Sequence, residues 1–379
     1  MIPLAELMVS RGGSVDPSRY PDEEFDLYSI PAFDAGTPEI AKGKEIGSTK
    51  QIVAPNDVLL SKIVPHIRRA GVVGALRGRR LIASGEWIVF RNSRASPDYL
   101  RQVLVGDPFH SQFMQTVSGV GGSLLRARPA YVAEIKIPLP PLPEQRRIAA
   151  ILDQAETLRT QRRTALSLLD TLTQSIFLDM FGDPVTNPKA WPLVCLAEMG
   201  SLDRGVSKHR PRNAPELLNG PYPLVQTGEV ANCDGYIRAY KNSYSEIGLR
   251  QSKMWPAGTL LITIAANIAK TGILTFNSCF PDSVVGFRAN DPATVEFVRV
   301  WLSFLQKALE DAAPESAQKN INLAILRDLR IPAPSLALQQ TFATRIAAIE
   351  ALKSTHRTAL AQLDALFASL QHRAFSGNL

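Results

Sequence analysis

One stretch of this chain occurs twice without a gap. Ile137–Phe181, IPLPPLPEQRRIAAILDQAETLRTQRRTALSLLDTLTQSIFLDMF, returns at Ile331–Phe375 as IPAPSLALQQTFATRIAAIEALKSTHRTALAQLDALFASLQHRAF, an offset of 194 residues (331 − 137). Ile137/Ile331, Pro140/Pro334, Gln145/Gln339, Glu156/Glu350, Leu158/Leu352, Asp170/Asp364 and Leu172/Leu366 are identical, as is the block Arg163–Leu166 with Arg357–Leu360. A repeat of this length means two copies of one plan, a globular part followed by a long element.

That element reads as a proline-stiffened lead-in and one long helix. Apolar residues recur at three- and four-residue steps: Ile148, Leu152, Leu166, Leu169 and Ile176 in the first copy, Phe342, Ile346, Leu360, Leu363 and Leu370 in the second. Such a stripe is too wide for solvent, and a helix this long depends on burying it. The economical partner is the other copy, packed antiparallel. These ten residues are therefore expected in helix–helix packing. At 1.5 Å per residue each helix would be roughly 55 Å long, a rod that holds two globular parts apart.

A weaker repeat links the globular parts. Pro55–Leu60 aligns with Pro256–Leu261 at an offset of 201 (256 − 55), which also matches Ile63, Ile67 and Gly71 with Ile264, Ile268 and Gly272. Short β-branched or aromatic runs such as Val58–Leu60, Gly71–Val73 and Trp87–Phe90, bounded by turn residues, read as strands. Pro97–Gln115 reads as a helix or a helix pair, and Gly119–Gly122 as a turn. The expected fold class is α+β: two pseudo-repeated domains of mixed sheet plus helices, separated by two long antiparallel helices. The expected boundaries are 1–140, 141–185, 186–334 and 335–379.

Charge follows the same division. Between Glu144 and Phe181 five basic residues oppose five acidic ones. Between Asp57 and Glu86, Lys62, Arg68, Arg69, Arg77, Arg79 and Arg80 stand with no acid, and Arg204, Lys208, Arg210 and Arg212 are equally unopposed between Asp203 and Glu216. With a net charge of +7, positive charge in both globular parts favours a polyanion. Three scattered cysteines and no CxxC spacing point to reduced thiols and no metal. The start, MIPLAELMVSRGG, lacks the pattern of a signal peptide, and Asn267 and Lys270 interrupt the most apolar window. A cytoplasmic protein without membrane contact is expected.

The PLPPLPEQRRIAAILD entry, its IPAPSLALQQ copy, SAQKNINLAILRDLRIPAP (Ser316–Pro334), PAGTLLITIAANIAKTGIL (Pro256–Leu274) and PDSVVGF (Pro281–Phe287) resemble the specificity subunit of type I restriction–modification systems. So does the opening of the second half, Trp191-Pro192-Leu193 followed by Leu196–Met199. The resemblance covers essentially the whole chain. It departs at Ala337 and Leu338, which stand where the first copy has Pro143 and Glu144, and at the shortened start Ile2–Leu7. It implies two target-recognition domains, each reading half of a split, asymmetric site on double-stranded DNA. It also implies helices that serve as spacer and as docking surface for two methyltransferase subunits, with restriction (motor) subunits joining. No cofactor is expected in this chain; S-adenosylmethionine, ATP and Mg belong to the partner subunits.

Catalytic signatures are missing. Asn187-Pro188-Lys189 lacks the second proline of an adenine-methyltransferase motif, and Leu124 breaks a GxGxxG reading of Gly119–Leu124. His66, His110, His209, His356 and His372 lack metal-ligand spacing, and no P-loop occurs. The chain is expected to bind, not to catalyse. DNA reading needs cations for phosphates and guanine, and amides or hydroxyls for other base edges. The candidates are Lys62, His66, Arg68, Arg69, Arg77, Arg79 and Arg80 in the first domain, and Ser207, Lys208, His209, Arg210, Arg212, Gln226 and Thr227 in the second. The alternative is a non-catalytic coiled-coil interaction protein with nonspecific DNA affinity.

Overall fold

A proline-rich lead-in opens each long helix, at Leu142–Phe181 and Leu336–Phe375. The lead-in carbonyls take the first free amides: Pro141 O accepts from Glu144 and Gln145, and Ser335 O from Leu338 and Gln339. Pro143 costs nothing in the first turn, where its missing N–H would have no partner. The first long helix stops at Gly182, whose φ of +82° is the left-handed conformation of a helix terminus. The computed structural model describes residues 1–9, 12–119, 125–265, 269–312 and 322–379. Residues 120–122 of the expected turn, Leu124, Asn267, Ile268 and residues 316–321 of a family-like segment lie outside them. Among the described residues no helix is long and apolar enough to cross a membrane.

The chain divides into two units, Met1–Arg163 with Thr358–Leu379, and Thr164–Arg357. The cuts fall at equivalent places in the two long helices, 194 residues apart (357 − 163). Each unit therefore holds one half of each helix. In the first, Arg159 Nε lies 2.6 Å from Asp364 Oδ1, and Arg147 donates to the Leu379 carbonyl at 2.7 Å. In the second, Lys353 Nζ lies 2.5 Å from Asp170 Oδ1, and the Phe342 ring centroid is 5.7 Å from that of Phe177. Partner numbers fall along one helix as they rise along the other, so the halves pair antiparallel in both units.

The first unit contains a five-stranded sheet in the order Ser14–Val15, Lys50–Ile52, Arg80–Ala83, Glu24–Tyr28, Glu39–Lys42. Its second sheet is antiparallel: Ala70–Val72, Val58–Ser61, Trp87–Phe90. The second unit has a five-stranded sheet, Gly200–Arg204, Val284–Ala289, Leu260–Thr263, Thr271–Leu274, Gly235–Ile237. A four-stranded sheet accompanies it, Asn242–Tyr244, Leu218–Leu224, Ser278–Cys279, Met254–Trp255. Each unit also contains a short strand paired antiparallel with the strand before a long helix, Ile2 with Ile137 and Val194 with Ile331.

The three-stranded core repeats with a register that the residue alignment misses by one. Leu59 faces Gly71, and Leu261 faces Gly272, so the first strand matches at 202 (261 − 59) and the second at 201 (272 − 71). The turn before the first strand shares the offset of that strand: it needs a positive φ, which Asn56 at +70° and Gly258 at +83° supply, 202 apart (258 − 56), so the one-residue difference falls between the first and second strands. A one-residue slip would reverse every side chain of the strand, so this turn decides which face is buried.

Each long helix is fastened by a buried glutamine at one position of the repeat. Gln145 Oε1 accepts from the Ser96 amide at 2.7 Å, and its Nε2 donates to the carbonyls of Arg94 at 2.9 Å and Pro140 at 2.7 Å. Gln339 Oε1 accepts from Thr294 Oγ1 at 2.8 Å, and its Nε2 donates to the Pro334 carbonyl at 2.9 Å. The amide thus ties the lead-in and the helix to the start of a second helix, Pro97–Val105 or Pro292–Ala312.

Candidate nucleic-acid interface

Four of the seven candidates in the first unit sit on carboxylates. Arg69 grips Asp34 with two bonds of 2.7 and 2.8 Å, Arg80 grips Glu23 with two of 2.6 Å, and Arg79 meets the buried Asp26 at 2.7 Å. Arg68 spans the junction of two helices, 2.6 Å from Asp107 and 3.1 Å from the Val105 carbonyl. The fork of Arg69 holds the Asp34 carboxyl below its ordinary value, and hydrogen bonding to Glu23 raises Arg80. Arg80 also lies over the rings of Tyr20 and Phe25. Arg77, on the exposed run from Gly74 to Gly78, has no ion partner among the described residues. His66 is exposed and within electrostatic reach of His110, whose imidazole is held below its ordinary value by burial and then by the Arg68 charge. Lys62 closes the strand Val58–Ser61: its amide donates to Glu86 O at 3.0 Å and its carbonyl accepts from Ala127 at 2.8 Å.

In the second unit five candidates share one loop, and two stand elsewhere. Ser207, Lys208, His209, Arg210 and Arg212 follow the strand Gly200–Arg204. Arg212 Nη2 is 2.5 Å from Asp282 Oδ1 and Arg210 Nη2 is 3.5 Å from Asp282 Oδ2, while His209 Nε2 lies 3.8 Å from Glu216. Ser207 is buried, and its Oγ has no hydrogen bond among the described residues. Gln226 and Thr227 instead head the short helix Thr227–Ala231, where the Gln226 amide donates to Glu229. Gln226 lines a cleft of about 570 Å³ with Cys233, Tyr236, Arg238, Lys241 and Asn242. Composition alone could not show which residues hold the loop: Asp282 is 70 residues from Arg212 (282 − 212) and Gln251 is 43 from Lys208 (251 − 208).

The helix residues divide by burial. Ile148 and Leu152 lie in the core of the first unit, and Phe342 and Ile346 in that of the second; all four are at most 3% exposed. Leu166, Leu169, Ile176, Leu360, Leu363 and Leu370 are half-buried. Leu158 and Leu352 stay exposed at one position of the repeat, and Leu172 and Leu366 at another. An ion cluster is also duplicated: Arg159 and Arg163 bind Glu156 and Asp364 in the first unit, and Lys353 and Arg357 bind Glu350, with Asp170 on Lys353, in the second. Among the described residues no group of three or more His, Cys, Asp or Glu could hold a metal ion.

Solved structures share this architecture. The type I restriction–modification S subunit from M. genitalium is 11% identical with a TM-score of 0.63, over 99% of this chain and 95% of that one. A chain from a study of complex assembly and conformational transition of the type I R-M system is 21% identical with a TM-score of 0.57, over 100% and 97%. Among curated proteins, the type I restriction enzyme MjaX specificity subunit of Methanocaldococcus jannaschii is 22% identical over 65% of this chain, and the EcoBI specificity subunit of Escherichia coli 23% over 64%. These matches span 59% and 58% of the relatives' own lengths. Residues 29–167 and 188–365 each match the type I restriction modification DNA specificity domain, and the chain belongs to that family.

Proposed function

We propose that this chain is the DNA-specificity subunit of a type I restriction–modification enzyme. Each unit reads one half of a split, asymmetric site in double-stranded DNA. The paired long helices set the distance between the half-sites and present the docking surface for two methyltransferase subunits, which restriction subunits then join. The chain supplies recognition and no catalysis; S-adenosylmethionine, ATP and Mg are bound by the partners.

The observation that carries this reading is the duplicated fastening of the helices. The same glutamine and the same four charged positions recur 194 residues apart, as an equal docking of two copies of one partner requires. Leu158 and Leu352, and Leu172 and Leu366, supply exposed apolar contacts in both copies for those partners. Thirteen of the fourteen DNA-binding candidates belong to the same proposal, the buried Ser207 being excepted, with Arg77, Lys208, Arg210 and Arg212 reaching phosphates or guanine most directly. The two domain matches speak against a merely nonspecific coiled-coil binder.

Deleting one heptad from each long helix at equivalent positions removes about 10 Å of rod. Methylome sequencing of cells carrying that variant and its partners should show the same half-sites with a spacer shorter by about three base pairs. An unchanged spacer would rule out the helices as the ruler.

A further inference from the structure

The loop that begins at Gly205 is held from three sides. Gln251 Oε1 accepts the amides of Lys208 at 2.7 Å and His209 at 3.1 Å, and Ser252 Oγ donates to the Val206 carbonyl at 2.7 Å. Val206 donates its amide to Phe280 O at 3.1 Å, next to Pro281 and Asp282. Gly205 sits so close to that segment that a Cβ would meet Phe280 O at 2.3 Å and Pro281 O at 2.4 Å. Arg210 folds back onto the carbonyls of Ser207 at 2.7 Å and His209 at 2.8 Å. The backbone is thus set by Gln251, Ser252 and main-chain bonds, with Arg210 adding two of its own, while among the described residues Asp282 alone is shared by the two guanidiniums.

We propose that Asp282 is a specificity-determining residue of the second unit, acting by positioning Arg210 and Arg212 and by making their release selective. This inference rests on reading the chain as a DNA-specificity subunit. The side chains of all three are 37–55% exposed, where ion pairs are weak and exchangeable. A phosphate or a guanine edge offers a guanidinium the same paired acceptors as a carboxylate, so transfer from Asp282 to DNA needs little rearrangement. Against arbitrary DNA, however, the carboxylate competes for both arginines and repels the backbone. Only a sequence that adds base contacts overcomes it, which is discrimination by a repulsive group. In the first unit Asp26, Asp34 and Glu23 each hold one arginine, Arg79, Arg69 and Arg80, with Asp26 buried and Arg69 largely so, and Asp282 differs in being an exposed carboxylate shared by two.

The test compares Asp282→Asn with the unsubstituted chain, each assembled with its methyltransferase subunits. Both are titrated over a salt series with a duplex carrying the motif found by methylome sequencing and with a random duplex. Binding of the random duplex by Asp282→Asn should strengthen, with a salt slope steeper by about 1 to 2. The specificity ratio, roughly 10³ or more at the outset, should fall by about tenfold. Methylation mapping should show the lost fidelity in one half-site only. Adding Arg210→Ala and Arg212→Ala to Asp282→Asn should return random-duplex binding to the original level or below. An unchanged ratio and slope would overturn the inference. So would loss of motif binding alone, because Asp282 would then be reading a base itself. If the unsubstituted complex shows no sequence preference, the reading of the chain as a specificity subunit fails first, and the two failures are told apart.

Discussion

Gln145 and Gln339 share one position of the repeat and do one job, whereas Gln371 and Phe177 share another (371 − 177 = 194) and do not. In the second unit Phe177 is buried among the rings of Phe181, Phe297, Phe304 and Phe342, with centroids 5.0 to 5.7 Å away. In the first, Gln371 and Gln102 line a polar cleft of about 440 Å³ with Arg68, Arg101 and Arg159. Gln102 and Phe297 are each the sixth residue of the helix beside the rod, so both members of the stacked pair have become amides. Gln102 donates to Asp153 at 2.5 Å, and its Oε1 has no hydrogen bond among the described residues. Contacts that seat a long helix are kept because they set its position. The filling beside it is free to differ, because side chains of suitable volume serve even where, as at Gln102, one polar atom is left unpaired among the described residues.

The widest contrast should appear on truncation. Phe177→Ala is expected to cost about 3–5 kcal/mol in the second unit, and Gln371→Ala only about 1 in the first. Hydrogen exchange resolved by segment would measure both; similar losses would mean that the two fillings bear equal weight. Replacing the fastening glutamines should narrow the gap. Gln145→Leu and Gln339→Leu each strand buried partners and should cost about 1–3 kcal/mol by denaturant unfolding. Gln145→Leu should be the more severe, because Gln145 makes three bonds of its own and Gln339 two.

The smallest effect is a dependence on pH in the first unit. Arg69 keeps the folded-state pKa of Asp34 below its ordinary 3.8. The ionised pair therefore adds stability above that value, and the contribution is lost as pH falls through the lower folded-state value. Asp34→Asn should remove a modest part of the acid sensitivity of this unit and leave its neutral-pH fold intact, as acid titrations followed by circular dichroism would show. An unaltered acid limb would mean that the Asp34–Arg69 fork is energetically silent.

Much of the scaffold was legible from residues alone. The 194-residue repeat, the lead-in prolines and the apolar steps from Ile148 to Leu370 are local and periodic, so they mark the long helices and their like partners. The core strand repeat was legible to within one residue; the connection between its first two strands is one residue shorter in the second copy, and Asn56 and Gly258, which do the same backbone work with unlike side chains, hid the true register. The candidate arginines were legible as charges, but not as partners of Asp34, Asp26, Glu23 and Asp282. Those acids lie outside the charge runs, 35 to 70 residues away in the chain.

The sequence by itself determined that two like globular parts, each followed by a long helix with an apolar stripe, had to form, because periodicity and an ungapped repeat are properties of the chain. Tertiary structure alone decided that Gln145 and Gln339 fasten those helices, that Gln102 and Gln371 stand where Phe297 and Phe177 stack, and that Asp282 holds Arg210 and Arg212. The physical reason is range: hydrogen bonds, stacking and ion pairing act over a few ångströms, and only folding brings residues so far apart in the chain within that distance.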